Sequence, residues 1–167
     1  YFVWWGGKND VVPAQHGFDA FCHVKHRVER KPSTAKRPSG WRGEPGSDTY
    51  YSFFVGRLDK GEEPYYPDSD WGHVMGAIDL IRNRPKDKPL CIYLALNYPH
   101  PPYAVEEPWF SMIDRAKLPP RIPAPGAWTD KPSILKGLYE RFGMQSWTER
   151  RWDELRATYY GMCAREI

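Results

Sequence analysis

Two side chains able to carry positive charge stand where apolar runs end. Lys8 closes Tyr1-Phe-Val-Trp-Trp-Gly-Gly, and His100 follows Leu90-Cys-Ile-Tyr-Leu-Ala-Leu-Asn-Tyr-Pro. Lysine is a compact cation, and histidine is a cation or a proton donor near neutral pH. Such a pair suits a reaction in which negative charge builds on oxygen and a departing oxygen needs a proton. Lys8 and His100 are the candidate catalytic pair, and Asn9 and Asp10, which directly follow Lys8, are candidate substrate-binding residues.

Both residues need elements that aim them. Leu90 to Leu96 is a short, mainly apolar run with Ile92 and Tyr93 at its centre, the pattern of a central strand covered on both faces. Prolines 99, 101 and 102 then forbid both a helix and further sheet pairing, because each lacks an N–H and restricts its predecessor. His100 is therefore expected in a stiff loop at a strand's C-terminal end, the edge where open α/β sheets bind ligands. Gly6 and Gly7 let the backbone turn sharply after a first strand, Phe2 to Trp5, which leaves Lys8 at that strand's tip. The Gly-Gly-Lys lacks the four-residue spacer and the Lys-Ser/Thr ending of a phosphate-cradling P-loop.

The remaining chain alternates strand and helix patterns, which predicts an α/β fold. Val11 to Phe21 reads as an irregular connection, residues 30 to 48 as a Pro/Gly/Ser loop, and Thr49 to Val55 as a strand rich in Tyr and Phe. After a turn-rich stretch from Glu62 to Ser69, Asp70 can cap a helix that runs through Asn83 and stops at Arg84-Pro85. Its apolar face is read as Trp71, Val74, Ile78 and Ile81. A Pro-rich excursion from Pro101 to Pro132 exceeds the usual loop length, so it is either functional or packed as an insertion. Ser146-Trp-Thr-Glu149 matches a capping box, and Trp152, Leu155, Tyr159 and Cys163 recur at three and four residues along the helix that follows.

Three segments together resemble the sulfatase family of the alkaline phosphatase superfamily. Asn97-Tyr-Pro-His-Pro-Pro is similar to its Ala-Pro-His-x-Pro block, and Trp5-Gly-Gly-Lys8-Asn-Asp10 to a strand ending in Gly-Lys-x-His. The stretch from Lys131-Pro-Ser-Ile-Leu-Lys-Gly137 to Tyr159-Tyr-Gly-Met162 is similar to that family's return from a variable loop into a helix. The resemblance implies an alkaline-phosphatase-like mixed sheet flanked by helices, here incomplete. It implies a sulfuric ester hydrolase acting on a sulfated sugar or a small organic sulfate, with Lys8 and His100 lining the sulfate pocket around one tetrahedral oxyanion. It further implies calcium and a formylglycine nucleophile in the intact enzyme.

The chain departs from that pattern at Asp10, where many sulfatases place a second histidine. A carboxylate beside an anionic sulfur group is repulsive unless it pairs with Lys8 or turns to the rest of the substrate, such as a sugar hydroxyl. Phosphodiester and phosphonate hydrolases share the fold and vary these positions, so they stay open as an alternative. The family's Cys/Ser-x-Pro-x-Arg nucleophile motif and its paired calcium-binding aspartates find no match. The chain opens within a strand pattern and closes within a helix pattern. It is therefore read as an internal part of a single sulfatase-like catalytic domain, inactive by itself and without the metal.

Composition narrows the partners. A net charge of +3 from 24 basic and 21 acidic residues is too balanced to argue for nucleic acid, and no run of apolar residues spans a membrane. The densest basic stretch, Lys25 to Arg42, reads as a solvated loop. Cys22, Cys91 and Cys163 are odd in number and widely spaced, which argues against a disulfide framework and leans toward a reducing, cytoplasmic compartment. Cys91 and Cys163 are expected to pack as small hydrophobes. Cys22 lies near His16, His23 and His26, but structural zinc sites normally draw two or more thiolates, and no second cysteine is close. A carbohydrate-binding module is the non-enzymatic alternative, since Trp41, Trp71, Trp109 and Trp128 could stack on sugars, although the same residues dominate ordinary cores.

Overall fold

A computed structural model describes residues 1–13, 15–29, 31–36 and 54–167. In chain order they form β1 (Phe2–Gly7), β2 (Val24–Lys25), β3 (Phe54–Arg57), α1 (Ser69–Asn83), β4 (Leu90–Ala95), β5 (Tyr103–Val105), α2 (Trp109–Met112), α3 (Ser133–Arg141) and α4 (Glu149–Glu166). The class is mixed α/β. Two compact units emerge, Tyr1–Ala35 with Lys60–Tyr98, and Lys36–Asp59 with Pro99–Ile167. Of the expected Pro/Gly/Ser loop at 30–48, residue 30 and residues 37–48, with Arg37, Trp41 and Arg42, lie outside the described residues, as does most of the Thr49 to Val55 strand.

The first unit is built on a three-stranded parallel sheet in the order β2-β1-β4. β1 is rich in β-branched and aromatic residues, which fit a pleated surface covered by neighbours. It extends two residues beyond the expected Trp5 and takes the middle position, paired with β4 from Phe2↔Leu90 to Gly7↔Ala95. Among the described residues β4 is an edge strand of this sheet, not the central one. Its apolar run alternates instead of being buried on both faces, and Cys91 and Tyr93 are exposed. Cys91 is thus not the packed thiol its setting suggested.

β1 serves two cores. Trp5, Val12 and Cys22 cluster with Val3 and Phe18, while the buried Trp4 packs against His26 at 5.0 Å between ring centroids. Helix α1 is capped by Asp68, which accepts from Trp71 N at 3.0 Å, not by Asp70. Its buried side chains are Asp70, His73 and Ala77 rather than the large aliphatics, and Ile81 is 53% exposed. The helix packs closely because Gly72 and Gly76 leave room one turn apart, where a Cβ would collide with Val28 and His26. Arg84 is extended at its end, as a residue before proline must be.

In the second unit β3 pairs with β5 in parallel, with an irregularity between Phe54 and Gly56. Helix α4 packs on β5 and α2. Thr148 caps it rather than Ser146, and its buried residues are Ala157, Thr158, Gly161 and Met162. Tyr159, assigned from its spacing to the packed face, is 37% exposed. The small residues win that face because Gly161 lies against the Trp109 carbonyl, where a Cβ would not fit.

The Pro-rich excursion holds β5, α2 and a 3-10 turn at Arg115–Lys117. Three arginines bind it to α4: Arg115 pairs with Glu154 and Arg121 with Glu149, and Arg156 donates to the Pro119 carbonyl. Beneath them Glu106 and Arg165 form an ion pair at 3.1 Å with side chains 0% and 2% exposed. The excursion is therefore docked on α4 through Glu106, Arg115, Pro119 and Arg121, while Ile122 beyond them is exposed. Among the described residues no helix is long and apolar enough to cross a membrane.

Candidate functional site

The tip of β1 is fixed by backbone geometry. Gly7 has φ +90° and sits on Ala95, whose carbonyl a Cβ would strike, so glycine is required twice over. Lys8 N then donates to Ala95 O at 2.7 Å. The two parallel strands thus release their chains in register at one edge of the sheet, β1 into Lys8 and β4 into Leu96-Asn97-Tyr98.

Lys8 and Asp10 are brought together, with Nζ 2.9 Å from Oδ2 and side chains 43% and 68% exposed. Asn9 turns the other way. Its Oδ1 accepts from Val11 N and Val12 N, and its Nδ2 donates to Val12 O, so the amide builds the turn that follows the strand.

His100 is exposed and belongs to the second unit. Its Nδ1 lies 2.6 Å from Pro101 O, and only a ring N–H can satisfy a carbonyl. The proton is therefore placed on Nδ1, and Nε2 is an acceptor in the neutral ring and a donor once the ring is protonated.

Two residues of this edge escaped the sequence reading. Asp70, 3% exposed, is not a helix cap; its Oδ2 accepts from Asn97 N and Tyr98 N, each at 2.9 Å, and its Oδ1 accepts from Asn97 Nδ2. The carboxylate thereby holds the exit of β4. The spacing Asp70, His73, Ala77 is a helical stripe that could have marked it.

Lys25 is the second. It is half-buried on β2 rather than part of a solvated run, its Nζ donating to Gly7 O at 3.1 Å and lying 4.7 Å from the Phe18 ring centre. Burial pushes its pKa below the usual lysine value, and nearby Cys22 opposes that. Gly7 and Phe18 lie 18 and 7 residues away in sequence, and no local pattern announces them.

The residues around Cys22 do not converge. The Cys22 thiol faces Phe18 O, His23 Nδ1 accepts from Val3 N, and His26 meets His73. Among the described residues no group of three His, Cys, Asp or Glu side chains could hold a metal ion. The calcium that the sulfatase resemblance implies has no donor set among them, and no step is derived through it. Comparison with family models, with curated proteins and with solved structures finds no match to the chain.

Proposed function

We propose that the chain is part of a sulfuric ester hydrolase of the alkaline-phosphatase-like fold, acting on a sulfated sugar or a small organic sulfate. One observation carries this reading: Lys8 leaves a glycine-locked strand tip in register with the exit of β4, at the C-terminal edge of a parallel sheet where anionic ligands bind. Lys8 is accessible and supplies a fixed cation for an equatorial sulfate oxygen. His100, in the second unit, carries a ring able to donate a proton and is the candidate acid for an ester oxygen. Asp10 holds Lys8 in place and is available to a sugar hydroxyl, while Asn9 shapes the turn that carries both.

Asp10 favours a second reading, a phosphodiester or phosphonate hydrolase, because it stands where a second cation would otherwise meet sulfate. A panel of aryl sulfate, aryl phosphodiester and aryl phosphonate offered to the longer protein separates the two. Sulfate turnover above the others supports the first reading; phosphorus-ester turnover in its place replaces it.

A further inference from the structure

His26, just beyond β2, and His73, in the first turns of α1, face each other with Nδ1 atoms 3.0 Å apart. The seat for this contact is built. His73 is 9% exposed, Trp4 covers the His26 ring, and Gly76 lies where a Cβ would strike that ring. Gly6 likewise leaves room beside His73 Nδ1, 3.2 Å from where its Cβ would stand. We propose that His26 and His73 form a proton-gated latch that closes the β2 segment onto α1 and opens when both rings are protonated.

The hydrogen count sets the gate. With two neutral rings, one Nδ1 carries hydrogen and donates to the lone pair of the other. One added proton is tolerated, since an imidazolium donating to a neutral imidazole is a stronger, charge-assisted bond. A second proton turns both Nδ1 atoms into donors aimed at each other, with two positive charges in contact. The closed state therefore resists it.

The surrounding groups reinforce that resistance. Burial lowers the pKa of both histidines from 6.5, and the Lys25 charge lowers both further. His26 also lowers His73, and Asp70, from within α1, opposes the shift at His73. On the β1 side the pair meets Trp4 and Gly6, which carry no charge. Because the folded values lie below the unfolded one, the latch contributes fully above about pH 6.5 and is lost as pH falls through the folded values, fully so only once the second proton binds.

Opening has a consequence along β2. His26 N donates to Trp5 O and His23 N to Val3 O, and Lys25 Nζ donates to Gly7 O, so the same segment steadies the β1 tip. The inference does not require the enzymatic reading.

Amide hydrogen exchange on the full chain tests it, expressed as protection relative to intrinsic exchange at each pH. Between about pH 7.5 and about pH 5 the protection of His23 and His26 should fall roughly tenfold for each unit by which a latch histidine is depressed. His26→Asn, which keeps a polar atom at the Nδ1 position without titrating, should flatten that dependence. Gly76→Ala, which pushes the His26 ring out of its seat, should give low protection already at neutral pH. Should these variants fail to fold, nitrogen NMR of the wild-type rings decides: one Nδ1–H tautomer and one Nε2–H tautomer, with linked titrations, support the latch. Two independent rings titrating near the ordinary histidine value, or protection that does not change with pH, overturn it.

Discussion

The Lys8 ammonium rests 2.9 Å from the Asp10 carboxylate on an exposed turn. An ion pair of this exposure contributes about 0–1 kcal/mol to stability. Its value lies in where it holds the cation, at the end of a strand whose last residue must be glycine. Asp10→Asn should therefore leave thermal unfolding within about 0.5 kcal/mol of wild type, while changing turnover or affinity on the natural substrate of the longer protein. Unchanged kinetics would remove Asp10 from the account.

Gly7 makes the sharper structural prediction. A Cβ there meets the Ala95 carbonyl at φ +90°, so the β1–β4 pairing must shift to accept it. Gly7→Ala should cost more than about 1 kcal/mol in urea denaturation. Gly17, where an added Cβ would meet no non-neighbouring atom within 4 Å and whose φ is −71°, is the control and should accept alanine without loss.

Asp70 is the third point of leverage. Its removal leaves the Asn97 and Tyr98 N–H groups without their acceptor, so Asp70→Ala should lose on the order of 2 kcal/mol or more. Exchange of those two amides should rise with it. Unchanged protection at Asn97 and Tyr98 would show that the carboxylate does not hold the β4 exit.

In the second unit Arg165→Met strips Glu106 of a buried cationic partner. The expected loss is about 3–5 kcal/mol by denaturant melting, because a fully buried carboxylate loses this cationic partner. Adding Glu106→Leu should restore part of it. A single substitution costing no more than the double would show the pair to be dispensable.

The sequence conveyed which elements exist better than which faces they bury. β1, β4, α1 and α4 follow directly from apolar periodicity and proline stops. β4 looked central because its side chains are apolar, yet a strand's place in a sheet depends on its neighbours, and Trp4 and Trp5 put β1 in the middle. Asp68 and Asp70 are equally good caps by composition; the one two residues earlier took the role, and Asp70 was left free to turn inward to β4. On α4 the aromatic stripe suggested the packed face, but close approach to β5 and α2 demands small side chains, so Ala157 and Gly161 went inside. The positions of Lys8 and His100 beyond the ends of β1 and β4 were legible because glycine and proline punctuation marks the ends of runs. Asp70, Lys25 and the His26–His73 pair were not, since each acquires its meaning from partners far away along the chain.

The most direct test of the proposed activity is kcat/KM on an aryl sulfate for the protein carrying Lys8→Ala or His100→Ala. Loss of a cation or a proton donor from the reacting group should lower it by about a hundredfold or more in each variant, with unfolding unchanged. Wild-type kcat/KM in either variant would contradict the roles assigned to these two residues.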